Sequence, residues 1–144
     1  LSSPRVKKVL STKPGEKGFS LVELVVVIAV LAILAAVAIP AFQGVQDQAK
    51  VAAAKNGLVN GVKECAVSDA MMLGTEFSVS KAFSGTYSGY RMNNPTGTNS
   101  CYNAEAVNTD GKGLPTFTIL YDSSAGTSLK TCTPIGTGCT SGNW

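Results

Sequence analysis

The chain of 144 residues contains no histidine. That absence removes histidine general-base catalysis, a Ser-His-Asp triad and the usual zinc ligand sets. No C-x-x-C pair occurs, so the four cysteines do not read as a metal or redox motif. No internal repeat and no low-complexity tract is present. No pair of Asp or Glu residues has a spacing that suggests a catalytic site, so the chain is not expected to be an enzyme, and no cofactor and no metal are expected. Gly136-Thr-Gly138 and Gly111-Lys-Gly113 look superficially like phosphate loops, but neither lies between a strand and a helix, and both read as turns.

The charge is unevenly placed. The net +3 is concentrated at the start, where Arg5, Lys7, Lys8, Lys13 and Lys17 face Glu16 alone. From Phe19 onward acidic side chains outnumber basic ones by one. Such a near-neutral body is not built to hold nucleic acid, so charge does not support DNA binding. The sequence begins at Leu1 rather than Met, which leaves the length of the basic leader open.

Apolar residues make up 44% of the chain, and their distribution is equally uneven. Residues 19–42 read FSLVELVVVIAVLAILAAVAIPAF, with an uninterrupted apolar run from Leu24 to Ile39. The block has the roughly 20 residues needed to cross about 30 Å of hydrocarbon. Two residues are anomalous for a plain membrane span, Glu23 near its start and Pro40 near its end. A secretory signal would be shorter and would end at a small-residue cleavage site. Ala35, Ala36 and Ala38 could supply one, but here the pattern continues into an amphipathic helix over residues 43–73. Its apolar positions are read as Val45, Ala49, Ala52, Val59, Val62, Ala66, Ala70 and Leu73. One helix from about Phe19 to about Met72 would be about 80 Å long. Gly44, Gly57 and Gly61 are expected to weaken it locally, each by about 1 kcal/mol relative to Ala.

Beyond Gly74 the composition shifts to Gly, Ser, Asn, Thr and Pro. Residues 85–115 are expected to form a long loop. Pro115 to Tyr121 alternates Phe117, Ile119 and Tyr121 and is expected to be a strand. Glu76 to Phe83 and Ser128 to Thr133 are weaker strand candidates. A small sheet built from these would pack on the stripe of residues 59–73.

Cys65, Cys101, Cys132 and Cys139 all follow the apolar block. An even count beyond a membrane segment points to disulfides in an oxidising compartment. Four cysteines allow three pairings. Pro134, Gly136 and Gly138 favour a turn between Cys132 and Cys139, and that pair would leave Cys65 with Cys101.

Lys17-Gly18-Phe19-Ser20-Leu21-Val22-Glu23-Leu24, with its basic flank and apolar continuation, resembles the start region of type IV prepilins. Pro40 matches a proline common in that family's N-terminal helix. The resemblance covers roughly residues 13–72. It implies an α+β pilin fold, with a long N-terminal helix packed on a small antiparallel sheet. The divisions would be a leader over 1–18, a membrane and filament-core helix over 19–42, an amphipathic helix over 43–73 and a disulfide-bonded domain over 74–144. Cleavage is expected between Gly18 and Phe19, with N-methylation of Phe19, and Pro40 would kink or loosen the helix. Glu23 would meet the free amine of Phe19 on a neighbouring subunit during assembly. The implied partners are further copies of the chain in a helical homopolymer, a prepilin peptidase, an inner-membrane platform with its assembly ATPase, and lipid before assembly. The basic leader would stay cytoplasmic and the C-terminal domain would face outward, first at the inner membrane and then on the cell surface. Competing roles are major pilin, minor pilin and pseudopilin of a type II secretion system. The lack of an acidic cluster near the C-terminus argues against a calcium-binding major pseudopilin. An ordinary single-span protein with a small ectodomain, in which Glu23 merely snorkels to the interface, is the alternative of a different class.

Overall fold

A computed structural model describes residues 18–144. The expected leader, apart from Gly18, lies outside the described residues. The chain divides into two compact units, Leu1–Phe42 and Gln43–Trp144. The first helix, α1, covers Leu21–Ala70 and contributes to both.

In the first unit α1 has no face of its own to bury. Leu24, Val25, Val26, Val27 and Ile28 are all about half exposed, and the helix passes through Pro40 without ending. Leu, Ile, Val and Ala on every face make this segment apolar all round, the pattern of a helix whose solvent is not water. Among the described residues it is the one helix that is apolar and long enough to cross a membrane by length and composition.

In the second unit the remainder of α1 is followed by two 3-10 helices, Phe77–Val79 and Lys81–Ser84, and by a five-stranded sheet. The strands are β1 (Thr86–Tyr87), β2 (Tyr90–Asn93), β3 (Asn103–Asn108), β4 (Thr116–Asp122) and β5 (Thr127–Thr133). They lie in sequence order, each antiparallel to the next. One long N-terminal helix followed by an antiparallel meander is the α+β, pilin-like arrangement that the resemblance implied.

The alternation of side chains along the strands sets the core. Tyr90 and Met92 of β2, Ala104 and Ala106 of β3, Phe117 and Ile119 of β4 and Cys132 of β5 are buried. They meet Val51, Ala54, Leu58, Val62 and Cys65 of α1 in one cluster. The helix face differs from the expected one. Of the stripe read as Val45 to Leu73, Val62 alone is fully buried, and Val45, Ala49, Ala52, Ala70 and Leu73 are exposed. The cause lies in Gly57 and Gly61, which are buried points of close approach. A β-carbon on Gly57 would overlap Met92, and one on Gly61 would overlap the Phe83 ring. A count of apolar side chains cannot see a face whose contacts are made by glycine backbone.

Two further expectations are corrected. Residues 85–115 are not one loop, because they contain β1, β2 and β3. Asn103–Asn108 alternates buried Ala104 and Ala106 with the more open Asn103, Glu105 and Val107, a period of two whose buried positions are alanines of low strand preference. Within Glu76 to Phe83 the chain forms the two 3-10 helices rather than a strand, and Glu76 alone makes an isolated antiparallel bridge, to Ser100. The Glu64 carboxylate accepts from the Ser80 hydroxyl at 2.9 Å and from the Ala82 N–H at 3.0 Å, and Phe77 stacks on Phe83 with ring centroids 4.8 Å apart. These contacts curl the segment onto α1.

The end of α1 is a left-handed cap. Leu73 N–H donates to the Ser68 carbonyl at 2.9 Å and Met72 N–H to that of Asp69 at 3.0 Å, with Met72 at φ 58°. Two ion pairs then join α1 to the loop between β3 and β4. Lys50 pairs with Asp110, and Asp47 pairs with Lys112 at 3.2 Å.

Candidate cleavage and assembly site

The site lies where the described chain begins. Gly18 and Phe19 precede α1, and Phe19 is 87% exposed. A β-carbon at Gly18 would meet nothing within 4 Å, so the fold makes no demand for glycine there.

Ser20 is the N-cap of α1. Its carbonyl accepts the first helical bond from Leu24 N–H at 3.1 Å. Its hydroxyl accepts from Glu23 N–H at 3.2 Å, and its own N–H donates to Oε2 of Glu23 at 3.0 Å. This is the reciprocal capping box, in which two otherwise orphaned donors at a helix start are satisfied by each other's side chains. The carboxylate also sits at the positive end of the helix dipole. Sequence reading singled out Glu23 as a charge and missed Ser20 as its partner. The spacing Ser20-x-x-Glu23 before an apolar run was the available signal. Oε1 of Glu23 carries no hydrogen bond among the described residues.

The other anticipated residues lie elsewhere. Pro40 sits inside α1. It lacks the N–H that would bond the carbonyl four residues earlier, which makes a local weak point in the helix. Cys65 on α1 is bonded to Cys101 just before β3, and Cys132 on β5 is bonded to Cys139. No cysteine is left free. Pro40 belongs to the same unit as Gly18, Phe19 and Glu23, and the four cysteines belong to the second unit. Among the described residues no group of three His, Cys, Asp or Glu side chains could hold a metal ion.

Residues 13–39 match the family described as the prokaryotic N-terminal methylation motif. The chain carries a type IV prepilin leader. Its motif indicates a type IV pilin-like or pseudopilin protein, a class that is structural and not known for enzymes. The leader implies processing by prepilin peptidase, and with the apolar helix it fits a membrane-anchored precursor. No curated protein and no solved structure matches the chain.

Electrostatics of the second unit are local. Lys55 donates to the Gly138 carbonyl at 2.6 Å and lies over the rings of Phe117 and Trp144. Burial, and then the nearby Lys130 charge, push its ammonium below the usual lysine range. The Lys50 ammonium is the main cause that holds the Asp110 carboxyl below its ordinary range.

Proposed function

We propose that the chain is the structural subunit of a type IV pilus filament. It is cut between Gly18 and Phe19, methylated on Phe19, held in the inner membrane and then polymerised through its N-terminal helix into a pilus at the cell surface. The observation that carries this reading is the exposure of the apolar segment. No residue of its most apolar 18-residue window is buried by the chain itself. An apolar face of that extent needs a cover. Before assembly lipid supplies it, and in the filament other copies of the same helix do.

Glu23 is the residue that makes the second cover specific. A carboxylate in an apolar span costs about 2.5–3.5 kcal/mol at the helix centre and less near an end. Its Oε2 is committed to the capping box, and its Oε1 has no hydrogen bond among the described residues, which leaves it for a donor on a neighbouring subunit. The free amine of Phe19 on a neighbouring subunit, created by cleavage, is a donor of opposite charge at the right depth. Pro40 supplies a point at which the helix loosens as subunits pack. Motility, adhesion or DNA uptake would be the activity of the assembled fibre, with the platform and its ATPase driving assembly.

The N-terminal mass of the mature protein tests this reading. A chain beginning at methylated Phe19 and recovered in sheared surface filaments supports the pilus subunit. The same mature chain confined to the membrane fraction would favour a pseudopilin. An unprocessed N-terminus would favour an ordinary anchor.

A further inference from the structure

The mouth of the β3–β4 pairing in the second unit forms a groove of about 440 Å³. It lies well away in sequence from the residues of the proposed cleavage and assembly site, and nothing in the filament reading uses it. Its floor is ring and aliphatic surface. Tyr102 and Tyr121 stand with ring centroids 5.3 Å apart and planes tilted by 38°, and Leu120 is 48% exposed beside them. Across the strand pairing Leu120 faces Leu129, which is also exposed, so the apolar surface continues beyond the groove.

The rim is polar and largely uncommitted. Asn103, paired with Leu120 in the sheet, spends no side-chain hydrogen bond within the described residues, and neither do the hydroxyls of Ser123 and Tyr121. Asp122 uses one carboxylate oxygen, Oδ1, to accept from the Ser124 hydroxyl and from the N–H groups of Ser124 and Ala125. Its other oxygen is unspent among the described residues. The Ser124 hydroxyl, ahead of the two backbone donors, holds this carboxyl below the ordinary range, so it is charged at neutral pH. Tyr102 is fixed in place rather than free, because its hydroxyl donates to Asp69 at 2.8 Å.

Rigid aromatic surface beside converging donors and acceptors is the chemistry that recognises a sugar ring, which has an apolar C–H face and a hydroxyl edge. The volume falls within the range of small-molecule sites. The sign of charge narrows the class. The groove lining contains one carboxylate and no cation, so an acidic sugar would meet repulsion without a counter-charge. We propose that the Tyr102–Tyr121 groove binds a neutral saccharide, stacked on the tyrosine and leucine surface and hydrogen-bonded through Asn103, Asp122 and Ser123.

The test uses the full mature chain in micelles of a detergent without a sugar headgroup, with saturation-transfer NMR from protein to sugar. The probes are maltotriose and triacetylchitotriose as neutral sugars and trigalacturonate as the acidic comparator. Transfer to the C–H protons of at least one neutral sugar is expected, with a dissociation constant of about 1 mM. Trigalacturonate should give no transfer. Asn103→Ala should weaken neutral-sugar binding about 5-fold or more, and it removes a side chain that makes no hydrogen bond in the fold. Asp122→Asn keeps a carbonyl oxygen for the turn while deleting the charge, so it should admit trigalacturonate. Tyr121→Ala should abolish binding, and the first two variants stand if that one fails to fold. Transfer to neither neutral sugar, equal transfer to the acidic one, or undiminished binding by Asn103→Ala would each overturn the proposal. None of these results depends on filament formation, so failure here leaves the filament reading untouched.

Discussion

The Phe83 ring occupies the space that a side chain on Gly61 would need. Phe83 is itself buried and stacked on Phe77, so it has little room to yield. Two effects compete in Gly61→Ala. The helix gains about 1 kcal/mol of propensity, and overpacking costs about 1–3 kcal/mol. The overlap is with a packed ring rather than a mobile chain end, so overpacking should win. A net loss of up to about 2 kcal/mol is expected, read as a lower thermal midpoint. Gly44→Ala is the control, because a β-carbon there meets nothing, and it should be neutral or stabilising. A stabilised Gly61→Ala protein would contradict this account of the helix–sheet contact.

Gly18 offers the opposite case. Nothing in the fold crowds it. Gly18→Val is therefore expected to leave the folded body intact while blocking cleavage, because the peptidase must approach the backbone closely. An immunoblot should show only uncut, membrane-held precursor. Mature-length protein in that variant would show that cleavage does not need glycine there.

The capping box and the counter-charge of Glu23 can be separated. Glu23→Gln keeps an acceptor for Ser20 N–H, since glutamine serves in a capping box, but it has no charge. Ser20→Ala keeps the charge and loses the cap, at about 1 kcal/mol. If the amine of Phe19 must find a carboxylate, an unpaired buried ion costs about 3–5 kcal/mol at every junction. Glu23→Gln should then give almost no sheared filament, and Ser20→Ala should give near-normal yield. The reverse result would make the cap, not the charge, the assembly determinant. Glu23→Ala should remain well anchored in the membrane, since it removes a polar group from an apolar span.

Tyr90 and Tyr102 are both pushed up to about 12. Burial is the largest cause for each. Asp110 and then Asp47 add to it at Tyr90, and the hydrogen bond to Asp69 adds to it at Tyr102. A raised folded-state value means that the neutral phenol is favoured by folding. That stabilisation is complete below the ordinary tyrosine value of 10.0 and is lost as pH climbs from there toward 12. Ultraviolet titration of the folded protein should show a phenolate step near 12. Tyr90→Phe should reduce that step, and it should cost about 1 kcal/mol because the Pro115 carbonyl loses its donor. Asp69→Asn should move the Tyr102 part of the step downward.

The two disulfides should not be equivalent. Cys65–Cys101 spans 36 residues and Cys132–Cys139 spans 7. On the loop-closure account the first constrains the unfolded chain by about 4 kcal/mol and the second by about 2 kcal/mol. Replacing each pair with serine and comparing thermal midpoints should rank them in that order. A larger loss from the short bridge would show that it acts through the native loop.

How much of this was legible in the letters depended on what carried each contact. Sixteen apolar residues in a row announce a helix and its need for cover. The alternation in β4 announces a strand because Phe117 and Ile119 are large. The same alternation in β3 passes unnoticed because Ala104 and Ala106 are small. The phase of the helix was misread for a related reason. Gly57 and Gly61 make their contacts through backbone, and Val51, Ala54, Leu58, Val62 and Cys65 form the buried face around them. At the N-terminus, Gly18, Phe19 and Glu23 stood out by spacing, whereas Ser20 needed a second rule applied to the same letters. The groove at Tyr102 and Tyr121 depends on β-sheet pairing, which brings Asn103 and Leu120 opposite each other.

The two ion pairs between α1 and the β3–β4 loop are crossed with respect to chain direction. Along the helix the order is Asp47 then Lys50, and along the loop it is Asp110 then Lys112, yet each acid meets the base at the other end. Were the loop laid against the helix in the reverse sense, Asp47 would face Asp110 and Lys50 would face Lys112. Two attractions would become two repulsions. Exposed pairs of this kind are each worth less than about 1 kcal/mol, so their contribution to stability is small. Their larger effect is on orientation: a loop rich in glycine, with few apolar anchors, has one sense in which it can close on the helix.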